Sequence, residues 1–193
     1  MSKIDTARLI LRRWRDNDLE PLAAINADPD VMRWIGDGST RDEVQTRAGL
    51  EAMERQWEAD GFGLFAVEVR STGELAGFTG LSVPEYLPEV MPTVEVGWRL
   101  GRRFWGVGIA SEAAAAVVRF GFRDCGLEQL VSVTQVGNGA SERIMEKLGM
   151  RLVRESVDPS CGRPIRIYAT TRPEHAATER PEETARRRGG CRG

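Results

Sequence analysis

The chain has 193 residues, 41% hydrophobic and 29% charged, with a net charge of -2, the size and balance of one globular domain with a real core. Its slight acidity, with a pI of about 5.7, excludes a general electrostatic grip on nucleic acid. No run approaches the roughly 18 apolar residues that span a bilayer, and Met1 to Asp5 lacks the apolar stretch of a secretory signal, so a cytoplasmic protein with no membrane partner is expected.

In chain order, Leu9-Ile10-Leu11 followed by Trp14 reads as a short strand, and Asp16 can cap a helix that puts Leu19, Leu22, Ala23 and Asn26 on one face. Thr40-Arg41-Asp42-Glu43 fits a capping box, with Val44, Ala48, Leu50, Met53 and Trp57 following at near-helical spacing. The period then switches to two. Phe65, Val67 and Val69 alternate, Ser71 to Glu74 turns, and Leu75 to Val83 returns as the second arm of a hairpin. Three prolines between Pro84 and Pro92 interrupt the sheet before the next strand, Thr93 to Leu100. Val107 to Asp124 is an alanine-rich helix with a face of small residues, Ala110, Ala113, Ala114, Val117 and Gly121. Leu127 to Val136 is a strand, Asn138 to Leu148 a helix closed by Gly149, and Arg151 to Val157 and Pro164 to Thr170 are the last two strands. The order β α α β β β α β α β β defines a mixed α+β domain over 1–171. From 172 to 193 the chain holds charges, Pro and Gly but no aliphatic side chain larger than Ala, the composition of a disordered tail.

Three widely spaced cysteines and the single His175 fit neither a disulfide framework nor a His-built centre; no metal is expected. The chemistry concentrates where the strand Val94-Glu95-Val96-Gly97-Trp98-Arg99-Leu100 runs through Gly101-Arg102-Arg103-Phe104-Trp105 into Gly106-Val107-Gly108-Ile109-Ala110-Ser111 and the alanine-rich helix. A glycine-rich turn opening a helix presents unpaired N–H groups at the positive end of the helix dipole, an anion site. Arg102 and Arg103 just before it can add charged hydrogen bonds to phosphate. A pyrophosphate-bearing cofactor follows as the expectation, against the plainer reading of a tight turn. Gly106 to Ser111 is a near miss to the dinucleotide fingerprint GxGxxG/A, with Glu128 at the distance of a ribose contact. That reading fits poorly, because five residues separate strand from glycine and a β-meander precedes the motif. No GK[ST] follows a GxxxxG, so a P-loop is excluded.

The pattern Arg103-x-x-Gly106-x-Gly108, with Trp105, Ala110 and Glu112, resembles the acyl-CoA pyrophosphate loop of the GNAT superfamily of N-acetyltransferases. Thr6 to Trp14 is similar to that superfamily's opening strand and Val94 to Leu100 to its central one. Asn138 to Met150 resembles the "N-x-x-S…EKLGM" helix of the branch that holds the ribosomal-protein N-terminal acetyltransferases. The resemblance covers nearly all the chain to residue 171. It implies a sheet of about seven strands with about four helices, splayed between its fourth and fifth strands, with acetyl-CoA in the V and an amine acceptor beside it. It further implies that Val96, Gly97, Trp98 and Leu100 pair with the pantetheine arm, that the N–H groups from Arg103 to Ile109 hold the pyrophosphate with Arg102 or Arg103 as cationic partner, and that Ala110, Ser111 and Asn138 face the cofactor. Homodimers are frequent in this fold, so a second copy is a further expected partner.

An attacking amine must first lose a proton. Glu95 is the candidate base, since acids on this strand serve so in relatives; if Val94, Val96 and Trp98 face one side, Glu95 faces the other, and only one side lines the acceptor cleft. Many relatives place a tyrosine where Met145 stands here. Ser141 resembles the serine that this branch offers to the leaving sulfur, with Tyr168 as a second candidate. A mechanism by positioning alone, or a catalytically silent acyl-CoA-binding module, fits the missing tyrosine too. For the acceptor, Asp28, Asp30, Asp37, Glu85 and Glu89 form a mildly acidic set, and Trp34 and Tyr86 are candidate walls.

Overall fold

The computed structural model describes residues 3–172, so the expected tail lies, apart from Arg172, outside the described residues. One sheet runs through the domain, built from β1 (Lys3–Asp5), β2 (Leu9–Arg12), β3 (Leu64–Val69), β4 (Leu75–Ser82), β5 (Val94–Leu100), β6 (Gln129–Gln135), β7 (Arg151–Val157) and β8 (Pro164–Thr171). Its spatial order is β1-β2-β3-β4-β5-β6-β8-β7, antiparallel throughout except for the parallel neighbours β5 and β6. Five helices accompany it among the described residues: α1 (Leu19–Asn26), α2 (Pro29–Met32), α3 (Glu43–Asp60), α4 (Ile109–Arg123) and α5 (Gly139–Lys147).

Two elements exceed the sequence expectation, and both are short. The three residues of β1 are too few to show a period and become a strand only by pairing, Lys3 to Arg12 and Asp5 to Ile10. The four residues of α2 begin at Pro29 behind Asp28, whose side chain accepts from the Asp30 N–H at 2.9 Å, an ordinary cap-and-proline start. The box that starts α3 is made two residues later than Thr40. Asp42 accepts from the Gln45 N–H at 2.8 Å while Gln45 accepts from the Asp42 N–H at 3.0 Å.

The small-residue face of α4 lets it lie close on the sheet. Ala113, Ala114, Val117 and Val118 have no exposed surface and pack with Leu9, Leu11, Val67, Val96 and Leu130. At Gly121 even a β-carbon would crowd Leu130 and Leu81 at 3.3 and 3.4 Å. On the opposite face, Leu22 from α1 and Leu50 and Met53 from α3 cover Ala66, Leu75 and Phe78. The far half of that face, Val131, Ile165 and Ile167, is covered by Leu87 from the proline-rich loop. The prolines thus stop the strand and turn its continuation back over the sheet.

One feature of the sheet positions the site. β5 and β6 are paired only at Val94 with Leu130 and Glu95 with Val131, and one side-chain link follows, from Ser132 Oγ to the Val96 carbonyl at 2.9 Å. Beyond it the strands part, so the β5 edge from Gly97 to Leu100 has no strand beside it on that side.

Candidate active site

The parting of β5 and β6 opens a cleft of two adjoining cavities, about 390 and 280 Å³. Trp34, Ile35, Trp98, Arg99, Asn138 and Ser141 line both, so the two meet between β5 and the start of α5. The segment after α2 spans the opening. Arg163 Nη1 donates to the Arg33 carbonyl at 2.8 Å and to Gln135 Oε1 at 2.9 Å, and Gln135 Nε2 donates to the Gly36 carbonyl at 2.6 Å.

The smaller cavity ends at the start of α4, where Gly106, Gly108, Ala110 and Ser111 line it. Gly106 and Gly108 hold φ of 75° and 83°, a conformation that costs other residues about 1–2 kcal/mol, so glycine is required for the chain to turn from β5 into α4. No side chain caps this helix, and its first N–H groups stay open to a ligand. The turn is braced from behind. Arg8 donates to the Val107 carbonyl at 2.8 Å and to Glu112 Oε2 at 2.6 Å, and Glu112 also accepts from Thr6 Oγ1 at 2.6 Å. Such an end binds phosphate, and across the cavity Arg33, Arg143 and Lys147 supply positive charge.

The sequence-selected residues divide accordingly. Gly97, Trp98, Leu100, Gly106, Gly108, Ala110, Ser111 and Asn138 line the cleft. Val96 is in the core beneath α4, Ile109 at the first position of that helix is buried in the same core, and the Val107 side chain is exposed. Arg102 and Arg103 are turned to the other side of the turn. Arg102 pairs with Asp28 and Asp30 at 3.3 and 2.5 Å, and Arg103 pairs with Glu74 at 2.9 Å and stacks on Phe104. The cations at the mouth of the smaller cavity are instead those of α5 and the segment after α2, whose meeting depends on tertiary structure. The acidic acceptor set is also dispersed: Asp28 and Asp30 are taken by Arg102, and Glu89 by Arg154 at 3.0 Å.

Glu95 lines the larger cavity. Alternation along β5 puts Glu95, Gly97 and Arg99 on the face of the larger cavity and Val96 in the core on the other face, where Leu100 borders only the smaller cavity. Tyr86 Oη donates to Glu95 Oε2 at 3.1 Å, and the Val133 N–H also donates to this carboxyl. Burial pushes the Glu95 carboxyl up to about 7; those two hydrogen bonds pull it down and the charge of Asp158 pushes it further up. Tyr86, which the sequence offers only as a wall, therefore also contacts the Glu95 carboxyl. Burial, then the neighbouring Glu95 charge, raises its phenol above the usual range, so it stays a donor at neutral pH. Asp158 lines the same cavity. Burial works against its charge, but hydrogen bonds from Ser160 and Cys161 outweigh this and hold it below the usual carboxylate range.

Ser141 stands where the cavities join. Asn138 caps α5 by accepting from the Ser141 N–H at 3.4 Å, and its Nδ2 donates to Ser141 Oγ at 3.1 Å. The amide occupies a lone pair of the hydroxyl and leaves the hydroxyl proton free to point into the cleft. Tyr168 is in the core at 5% exposure and lines neither cavity. Met145 occupies part of the wall where a tyrosine is usual in the superfamily.

A cleft between parting parallel strands, bounded at one end by an uncapped helix start and at the other by a buried carboxyl, has the form of an acyltransferase site. The family model described as an acetyltransferase (GNAT) domain matches residues 8–151, and the chain belongs to the GNAT family. The protein is an N-acetyltransferase; enzymes of this family use acetyl-CoA as the acyl donor. It is similar to the uncharacterized protein YkkB of Bacillus subtilis (strain 168), 33% identical over 168 residues that cover 86% of this chain and 94% of that one. It is also similar to the uncharacterized N-acetyltransferase YnaD of the same organism, 30% identical over 158 residues, 82% of this chain and 86% of that one. A crystal structure of a GNAT-family acetyltransferase from Bacillus anthracis superposes with a TM-score of 0.73 at 27% identity, covering 88% of this chain and 98% of that one.

Proposed function

We propose that this enzyme transfers the acetyl group of acetyl-CoA to a primary amine by direct attack within a ternary complex. The smaller cavity takes the cofactor: the N–H groups opening α4 hold the pyrophosphate, Arg143 and Lys147 face further phosphate, and the free edge of β5 pairs with the pantetheine arm as a neighbouring strand would. The acceptor enters the larger cavity. Glu95 takes a proton from its ammonium, directly or through a water, and the amine nitrogen forms a bond to the thioester carbonyl carbon. The carbon–sulfur bond then breaks, the second proton shed by the attacking nitrogen passes to the departing thiolate to give CoA thiol, and Ser141 Oγ, hydrogen-bonded to that sulfur, assists its protonation. A carboxyl near 7 suits this role, because it is substantially ionised at neutral pH yet basic enough to accept the proton. The acceptor class includes a peptide α-amine, supported by the resemblance of Asn138 to Met150 to the ribosomal-protein branch, and small-molecule amines.

The observation that carries this reading is the continuity of the cleft from the α4 start to Glu95, with Ser141 at the junction. Thermal unfolding with acetyl-CoA, CoA and NADPH in parallel tests it. At a hundredfold excess over Kd each ligand of the native state adds about 2.7 kcal/mol, a shift of several degrees. Stabilisation by both CoA forms and not by NADPH is expected. A response to NADPH alone, or none to CoA, refutes the cofactor assignment, and cofactor binding without turnover across amines refutes the catalytic one.

A further inference from the structure

The acceptor cavity contains a cation that the transfer chemistry leaves without a task. Arg99 is on the same face of β5 as Glu95, four residues on, and lines the larger cavity with Arg41. Its guanidinium is over the Phe78 ring at 5.0 Å, and Nη1 donates to Asn26 Oδ1 at 2.7 Å. Its Nε is buried with no hydrogen-bond partner, and no carboxylate among the described residues pairs with the side chain. Burial, with Arg41 nearby, lowers it to about 10. A buried donor left unsatisfied beside a second cation is costly unless an anion completes it.

The fold fixes the Arg99 side chain and the backbone of the exposed Arg41 through one residue. Asn26, buried at the end of α1, accepts from Arg99 through its side chain and from the Arg41 N–H through its carbonyl at 2.9 Å, and its Nδ2 donates to Thr46 of α3 at 3.1 Å. Between Glu95 and Arg99 stands Gly97, where a β-carbon would meet nothing within 4 Å, so the floor joining the two charges is open.

Resting on the acetyltransferase reading, we propose that the acceptor is an amine that also bears a carboxylate, with the amine at Glu95 and the carboxylate held by Arg99 and Arg41. Four strand residues span about 13 Å. After a hydrogen bond of about 3 Å at each end, about 7 Å remains between nitrogen and carboxylate, roughly six bonds. A dipeptide and a straight ω-amino acid share that chemistry.

The test compares kcat/KM for matched probes that differ only in charge: Ala-Ala against its C-terminal amide, and 6-aminohexanoate against 6-aminohexanamide. The acid of one pair is expected to exceed its amide about ten- to hundredfold, the usual worth of a charged hydrogen-bonded pair, and which pair does so separates the two sources. Arg99→Gln should bring that ratio to about one and Arg99→Lys should keep part of it. Should Arg99→Gln fail to fold, Arg41→Gln must lower the ratio severalfold. Equal rates for acid and amide, or a preference unchanged in the variants, overturn the inference while the acetyltransferase reading stands. Turnover of none of the four also overturns it, and a calorimetric titration with acetyl-CoA then reports whether the cofactor assignment falls as well.

Discussion

Substituting Glu95 by Gln separates its catalytic and structural effects, because they run in opposite directions with pH. The carboxyl is raised from an ordinary 4.5 to about 7, mainly by burial. At about 1.4 kcal/mol per pH unit, keeping it ionised costs the fold about 3 kcal/mol. Below pH 4.5 the group is protonated in both folded and unfolded chains, and nothing is lost. Between 4.5 and 7 the folded chain binds more protons than the unfolded one, so stability falls as pH rises, and the full cost is present above 7. Glu95→Gln removes that dependence. Urea unfolding of the two proteins from pH 5 to pH 8 should show the wild type losing about 2–3 kcal/mol relative to the variant, with shifts from all other groups cancelling in the difference. Activity goes the other way. With acetyl-CoA saturating, kcat/KM of the wild type for the acceptor, which reports the carboxyl before the amine binds, should climb to a plateau through pH 7, standing about tenfold lower at pH 6. The variant should lose that limb and about 10²–10⁴ of the plateau rate. An acidic limb that persists in the variant refutes the role of Glu95 as base, and a stability difference that does not change with pH refutes its desolvation.

Two further outcomes follow from other parts of the molecule. Ser141→Ala should lower kcat about 10²-fold while leaving the KM for acetyl-CoA within about twofold, since the hydroxyl is assigned to the leaving sulfur and not to cofactor binding; steady-state kinetics with acetyl-CoA varied reads both. Away from the site, Arg12 donates to both oxygens of Asp18 at 2.7 and 2.8 Å and to Glu68 at 2.7 Å, with Arg12 and Asp18 both buried. Asp18→Ala should cost about 3–5 kcal/mol in urea unfolding, because it leaves a buried guanidinium half-neutralised, and the double change Arg12→Met with Asp18→Leu should cost less than the two single changes added.

What could be read from the sequence was whatever a local pattern encodes. The glycine turn into α4, the alanine face that seats it and the Asn138 cap of α5 each follow from steric rules acting over a few residues, and the structure has them at those places. The order of strands from β2 onward was equally legible, because alternation shows at Phe65, Val67 and Val69 and turn or proline segments bound the strands that follow. Less legible was whatever is decided by a partner far along the chain. Arg102 and Arg103 carry the right charge at the right distance from the helix start, yet Asp28, Asp30 and Glu74 draw them to the opposite side. Only the completed fold brings those three carboxylates beside the turn.

The acceptor side shows the same principle more sharply. In the sequence Arg99 is an arginine on a strand, where solvent is the ordinary destination of such a side chain. Its burial is produced by Asn26 and Phe78, which are remote in sequence and meet it only once α1 and β4 pack on β5. Glu95 faced the same ambiguity of side, and Ser82 and Tyr86 across the strand and loop resolve it. A cofactor that every family member shares can be recognised through one contiguous loop bound by backbone atoms. The larger cavity is lined by side chains from many separate strands, helices and loops, and no local pattern can hold that information. The residues that distinguish this enzyme's substrate are therefore the ones that only the assembled sheet and helices bring together.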